Sequence, residues 1–292
     1  MQNSNFENLK IEEAISLINK AKNILDELDV RVLMDENNIQ NYNATNITFN
    51  LKLNPFNSFQ NFIEGKSNKL PRAVGLSIAE HLEVRDYTPY IVCGTSGCGK
   101  SHLINAIGTR HKELYPEKNV LYLSAHLFMM HYTDARQRNY YNNFMHFYQS
   151  VDMLIVDDIQ DWNDMPNTLK AAYQIINHLI DCGKQVILTC NCSPQKLKGL
   201  NKQLLYHFPY ELVVELEKPD YELCVDILNY KCRCDSLEIS KEVIDFIAKS
   251  ANNSVCDLIN VYNTLKANSS FNNSNIDMQL AKHILERFTN LH

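Results

Sequence analysis

The 292-residue chain contains no apolar run of bilayer-spanning length, and its opening Met1-Gln2-Asn3-Ser4-Asn5-Phe6-Glu7 is polar. Neither a membrane-spanning helix nor a secretory leader is therefore expected. An excess of positive charge is also missing: 28 Lys and Arg against 34 Asp and Glu leave a net charge of −6. Dedicated duplex-DNA binders carry a basic face, so strong non-specific DNA affinity is not expected. Basic residues cluster only locally, at Lys66, Lys69 and Arg72 and again at Arg136 and Arg138, which still allows a local basic groove. Nine cysteines include two C-x-C pairs, Cys190/Cys192 and Cys232/Cys234, but zinc-type spacing is lacking and no paired histidines accompany them. They read as small buried hydrophobes. No internal repeat is found. Apolar residues are plentiful, at 45 % of the chain. That is ample for a core, and the length suits one large or two ordinary domains.

Against these absences stands one dense motif. Gly94-Thr95-Ser96-Gly97-Cys98-Gly99-Lys100-Ser101 fits the phosphate-binding loop G-x-x-x-x-G-K-[ST] at every fixed position. The apolar run Tyr90-Ile91-Val92-Cys93 before it reads as a buried strand, and His102 to Ile107 after it reads as a helix start. The chemistry requires that context. Glycines let backbone N–H groups turn toward phosphate oxygens, and the helix N-terminus adds positive field. Lys100 is expected at the β- and γ-phosphates and Ser101 at Mg²⁺. A chain built around such a loop is expected in the cytoplasm, where thiols stay reduced.

A second apolar run, Val151 to Val156, ends in Asp157-Asp158. Strands of a parallel sheet are buried on both faces and read as continuous apolar runs, with ligands at their carboxyl ends. Asp157 is then placed to hold Mg²⁺. Asp158 has two readings: it orients or deprotonates the attacking water, or it is a helix cap or solvent-facing carboxylate.

Residues 6–28 repeat apolar positions with helical spacing, at Ile11, Ala14, Ile18, Ala21, Leu25 and Leu28. Residues 1–36 are read as an amphipathic helical extension, either packed on its own domain or meeting a partner. An Asn-rich linker, 37–50, follows. Residues 51–217 alternate strand and helix: a helix over 71–83, strands at 90–93, 120–124, 151–156, 185–189 and 212–216, and helices over 126–148 and 169–181. This rhythm predicts an α/β fold with a parallel sheet. Residues 218–292 read as four helices, 221–232, 241–250, 255–268 and 277–288, with Ser240 and Asp277 as N-cap or first-turn residues.

Leu53-Asn54-Pro55, Ser58-Phe59, Asn61-Phe62, Gly65 and Ser67-Asn68 resemble the opening segment of the ATPase domain of the bacterial replication initiator family DnaA. So do the phosphate loop with His102-Leu103, Tyr122-Leu123-Ser124, and the run Asp157-Asp158-Ile159-Gln160. Lys184-Gln185 and Asn191 resemble its sensor strand, Pro219-Asp220 the start of its lid, and Ile276 to Arg287 its last helix. The resemblance covers residues 51–290. It implies an AAA+ P-loop domain with a small C-terminal helical lid, binding ATP or ADP with Mg²⁺. It implies that the opening segment lies over the adenine, with Asn61 and Phe62 among the nucleotide-binding residues, and His102 with them. Asn191 would read the γ-phosphate. Phe128, Phe144 and Tyr148 fit the insertion that the family uses on single-stranded DNA, but their helical spacing favours packing on the sheet over stacking on bases.

The sequence departs from the family in three places. It reaches His292 with nothing like the family's duplex-reading helix-turn-helix domain, so sequence-specific duplex binding is not implied. The arginine-finger position holds His207, with Gln203 at a second arginine position. The lid's sensor-arginine position holds Cys256. An arginine finger contributes about 10³ to 10⁵ in rate, and a neutral His or Cys does not replace it. The expectation is a nucleotide-binding protein that hydrolyses ATP slowly, accepts a finger from a true initiator and does not donate one, with self-assembly weakened accordingly. Its expected partners are a replication initiator or the replicative helicase, with single-stranded DNA as a further ligand. A DnaC-type helicase loader and a non-hydrolysing, nucleotide-bound adaptor are the alternatives.

Overall fold

The computed structural model describes residues 53–81, 87–193, 212–250, 254–272 and 275–289. The chain divides into two units, 1–48 and 49–292, and every described residue belongs to the second. The N-terminal helix and linker expected from the sequence, together with Gln203 and His207, lie outside the described residues.

Five strands form one parallel sheet: β1 (Tyr90–Cys93), β2 (Val120–Ser124), β3 (Met153–Asp157), β4 (Gln185–Cys190) and β5 (Leu212–Glu215), in the order β2-β3-β4-β1-β5. Registers are continuous, with Tyr90 beside Ile187 and Leu212, and Leu154 beside Val186. The three central strands are buried on both faces, which is why they read as unbroken apolar runs.

Alternation along each strand feeds two cores. Ile91, Leu154 and Val186 face one side, where α3 (Ala125–Gln137), α4 (Tyr141–Gln149) and α5 (Pro166–Asp181) pack. Tyr90, Val92, Met153, Ile155 and Ile187 face the other, against α1 (Lys69–Glu80) and α2 (Lys100–Leu114). A third core unites α6 (Tyr221–Asp235), α7 (Lys241–Ser250), α8 (Val255–Asn272) and α9 (Met278–Thr289). No described helix is long and apolar enough to cross a membrane.

Ser240 and Asp277 cap as expected: Ser240 Oγ accepts from Val243 N, and Asp277 Oδ1 from Leu280 N. The helix expected over 71–83 spans 69–80. The single helix expected over 126–148 is two. Asn139 adopts a left-handed conformation, φ 60°, and Asp134 ties the break by accepting from Arg138 Nε and from the Tyr140 hydroxyl. Asn tolerates that conformation better than other non-glycine residues, so the stop was written without Gly or Pro.

The break folds α4 back, and the aromatics of 126–148 become core. Phe128 and Phe144 lie 5.4 Å apart, Phe128 and Tyr148 4.9 Å, and Phe128 and Trp162 5.2 Å, between ring centroids. Phe128, Phe144 and Tyr148 are buried. These three rings take the packing that their spacing favours: their faces are covered by one another and by the sheet.

Candidate functional site

The carboxyl ends of β1, β3 and β4 gather the predicted residues. The loop after β1 runs Gly94 to Gly99, and Gly94 N donates to Cys190 O at 3.2 Å, joining the loop to β4. Gly97 and Gly99 have φ of 79° and 105°, a region that L side chains rarely adopt. These turns bring the chain directly into α2, whose first turn holds Lys100, Ser101 and His102. Thr95, Ser96 and Ser101 are exposed, whereas Cys98 is buried and its thiol pKa is raised by that burial. The Lys100 ammonium is buried and donates to Gly94 O at 2.8 Å and Thr95 O at 3.0 Å, so it lies across the loop it must serve.

Asp157 ends β3, two strands from β1, a separation of roughly 10 Å at normal strand spacing. The residue is buried, at 6 % exposure. Both oxygens are held: Tyr122 OH donates to Oδ2 at 2.9 Å, and Thr189 Oγ1 donates to Oδ1. Burial, and then the Asp157 charge, push the Tyr122 phenol above its ordinary value. Such a phenol stays protonated and keeps donating. Thr189 in turn accepts from Asp158 N at 2.8 Å. Neither Tyr122 nor Thr189 was singled out from the sequence as an Asp157 partner. The available signal was a Thr within the otherwise apolar end of a buried strand.

Asp158 has φ 61°, a strained conformation for a residue other than Gly. Its side chain caps nothing; Oδ1 accepts from Gln160 Nε2 at 2.9 Å. Gln160 Oε1 also accepts from Asn191 N at 3.1 Å. Gln160 thus couples the acidic pair to the exposed Asn191 just beyond β4. Nearby, Cys190 is buried and its thiol is pushed up to about 12 by that burial, while Cys192 is half-buried.

Above the loop lies the opening segment. Asn68 Oδ1 accepts from Gly65 N, and Asn54 N donates to Asn105 Oδ1 on α2 at 2.7 Å. His102 Nε2 lies 3.2 Å from Ser58 O and 2.9 Å from Asn61 Oδ1. Both partners accept, so Nε2 carries the proton. Asn61 is engaged inside this segment: Oδ1 also accepts from Ser58 N, and Nδ2 donates to Phe56 O. Phe62 is buried beneath it, its ring edge-on to His102 at 5.2 Å. Asn61 and Phe62 thus shape the segment.

The lid closes the third side. Asp220 caps α6 by accepting from Leu223 N at 2.8 Å. Val255 N, at the start of α8, donates to Gly97 O at 2.9 Å, and Cys256 N to the same oxygen at 3.4 Å. Cys256 therefore sits at the phosphate loop.

Between the opening segment, the loop and α6 lies a cavity of about 570 Å³, a size typical of small-ligand sites. On its wall is Ser67, 8 % exposed, whose buried hydroxyl has no hydrogen-bond partner among the described residues. Native interiors seldom leave a hydroxyl unpaired, so the cavity fits a polar ligand. Ser101 and Asp157 offer only oxygen donors, the set that suits Mg²⁺ beside a phosphate. Among the described residues, no group of three or more Cys, His, Asp or Glu is arranged to hold a metal by itself.

The Bacterial DnaA ATPase domain model matches residues 53–215. The DnaA chromosomal replication initiator of Bacteroides fragilis is 46 % identical over 235 residues, covering 80 % of this chain and 49 % of that protein. The chain belongs to the DnaA ATPase-domain family. It spans about half the length of these curated relatives. Domain III of Thermotoga maritima DnaA superposes with a TM-score of 0.77 at 28 % identity, covering 81 % of this chain and 98 % of that one. A DnaA bound to AMPPCP and single-stranded DNA superposes with a TM-score of 0.68 at 31 % identity, covering 73 % of this chain and 66 % of that one. The fold is the AAA+ fold of DnaA domain III.

Proposed function

We propose that this DnaA-family chain binds ATP or ADP with Mg²⁺ and acts in the initiation or regulation of DNA replication through nucleotide-controlled assembly. One observation carries the reading: an intact phosphate loop at the lid's edge, facing a buried carboxylate whose two oxygens are both oriented by hydroxyl donors. The loop amides and Lys100 would hold the phosphates. Ser101 and Asp157 would hold Mg²⁺, which when bound neutralises charge on the transferring phosphoryl group. Asp158, fixed by Gln160, would orient the attacking water, and Asn191 would read the γ-phosphate.

Hydrolysis by the chain alone would be slow. The Cys256 side chain supplies no positive charge where the family has its sensor arginine; α8 meets the loop there through the backbone amides of Val255 and Cys256. The same observation favours a second reading, a nucleotide-bound adaptor in which hydrolysis plays no part. In either case the chain would accept an arginine finger from a full-length initiator, at one end of an assembly, and the initiator or the replicative helicase would be its partner in the cytoplasm. Single-stranded DNA, which the AMPPCP-bound relative holds, would run over the outer surface of α3 and α4, near Arg136, and not between the buried rings.

Nucleotide released by denaturing the purified protein, together with ATPase assays with and without a full-length DnaA, tests this. ADP or ATP should be recovered, and Lys100→Ala should lose it. Brisk, concentration-dependent hydrolysis by the chain alone would overturn the slow-ATPase reading. Function retained in full by Lys100→Ala would make nucleotide dispensable.

A further inference from the structure

None of the nine cysteines is bonded, and they differ in what surrounds them. Cys93 and Cys190 sit side by side on neighbouring strands, but both are buried and each thiol is engaged. Cys93 Sγ donates to Val214 O at 3.3 Å, and Cys190 Sγ to Cys192 O at 2.9 Å. Cys232 and Cys234, two positions apart on α6, do not face each other.

Cys98 and Cys256 are placed otherwise: one lies in the phosphate loop, the other in the first turn of the lid helix α8. Cys256 N donates at 3.4 Å to Gly97 O, the carbonyl that precedes Cys98. The planar peptide holds Cys98 Cα on the same side as that oxygen. Bond lengths then keep the two Cα atoms within about 7.5 Å, and disulfides span roughly 4.4–6.8 Å. A Cβ built on Gly97 would stand 3.5 Å from Cys256 Cβ, so loop and helix are already in van der Waals contact. The two thiols are near enough to act on each other's charge. Cys98 Sγ rests beside Gly94, 3.0 Å from where a Cβ would stand. A bond therefore needs a turn about the Cys98 Cα–Cβ axis and a small shift of the loop. Gly97 and Gly99, on either side of Cys98, supply that freedom.

The thiols also differ in access. Cys256 is exposed and meets a dissolved oxidant, whereas Cys98 is buried and lines the cavity. With hydrogen peroxide, the Cys256 thiol becomes a sulfenic acid and one water is released. The Cys98 thiol then attacks that sulfur. The S–S bond forms, the S–O bond breaks, and the hydroxyl leaves with the Cys98 proton as a second water. Overall the two thiols lose two electrons and the peroxide gains them. We propose that Cys98 and Cys256 form a reversible disulfide under peroxide, which clamps the lid to the phosphate loop and retains bound nucleotide. In the reduced chain Gly97 O ties loop to lid through hydrogen bonds from Val255 N and Cys256 N, which open and reclose; a covalent bond does not. Cytosolic disulfides are characteristically transient and redox-sensing. The clamp rests on the placement of the two thiols, and nucleotide retention rests in addition on the nucleotide-binding reading above.

The whole chain is treated with hydrogen peroxide, quenched with an alkylating agent and digested without reductant. Mass spectrometry should find the Cys98 and Cys256 peptides linked, and dithiothreitol should part them. Hydrogen exchange at Val255 and Cys256 should slow on oxidation. Fluorescently labelled ADP, loaded before oxidation, should leave more slowly by on the order of tenfold or more, and dithiothreitol should restore the rate. Cys256→Ser should lose every one of these responses. Absence of the linked peptide, Cys256 linked elsewhere, or linkage with hydrogen exchange unchanged overturns the clamp. A response that persists in Cys256→Ser overturns it as well. Linkage and slowed exchange without slower ADP release overturn nucleotide retention. If labelled ADP does not bind at all, the nucleotide reading falls, and the linked peptide and hydrogen exchange still decide the clamp.

Discussion

Thr189→Val isolates the contacts that set Asp157. Thr189 is 0 % exposed and its hydroxyl has two partners, donating to Asp157 Oδ1 and accepting from Asp158 N at 2.8 Å. Valine has nearly the same shape, so no cavity forms and the change reports hydrogen bonding alone. A bond to a charged group contributes about 1.5–3 kcal/mol, and a buried N–H left unpaired costs about 1–3 kcal/mol. The expected loss is about 2.5–6 kcal/mol, a large share of the roughly 5–15 kcal/mol that stabilises an ordinary domain. Thr189→Ser keeps the hydroxyl and loses one methyl group, so about 1 kcal/mol is expected. Urea denaturation of the three proteins gives these differences. Tyr122→Phe, alone and combined with Thr189→Val, completes a cycle. Because both hydroxyls serve one carboxylate, the two losses should be non-additive by at least about 0.5 kcal/mol. The reasoning is refuted if Thr189→Val lies within 0.5 kcal/mol of the unaltered chain, or if Thr189→Ser costs as much as Thr189→Val.

Gly97→Ala should loosen the lid. A Cβ there would lie 2.4 Å from Ser254 Oγ, and φ is 79°. The left-handed backbone costs about 1–2 kcal/mol, and displacing Ser254 from its cap on Asp257 N adds about 1 kcal/mol. Faster hydrogen exchange at Val255 and Cys256 is the readout. Phe144→Ala should cost about 3–5 kcal/mol in thermal or urea unfolding, because that ring is buried against Phe128 and Tyr148. A change near zero would mean that the ring is not core. Acid should destabilise the chain through His102 and His111, whose folded pKa values are lowered chiefly by burial from an ordinary 6.5. Below pH 6.5 the unfolded chain binds these protons more readily, so their contribution is fully present above that pH. It falls as the pH drops from 6.5 toward the folded values. Stability measured between pH 7.5 and 5 checks the sign, and His111→Asn should flatten the slope.

Much of this was legible in the sequence because it is local. The phosphate loop is one continuous segment whose neighbours must be a strand and a helix, and the central strands announce themselves by being apolar at every position. The helix caps at Ser240 and Asp277 follow from residue chemistry within three positions. The helix break at Asn139 is local too, yet it escaped because Asn permits the left-handed backbone without demanding it.

Tertiary structure decided what depends on distant residues meeting. Helical spacing alone allowed the rings of Phe128, Phe144 and Tyr148 either a DNA surface or a core, and the fold-back of α4 made them core. Asp157 was visible as an acid at a strand end. That Tyr122 and Thr189 hold it depends on β2 and β4 flanking β3 in register. His102 was visible as the residue after the loop. Its orientation was fixed by Ser58 and Asn61, 44 and 41 positions away, which both accept from Nε2. Sequence spacing carries the chemistry of adjacent atoms, whereas the direction of a hydrogen bond between remote segments exists only once the sheet and lid have brought them together.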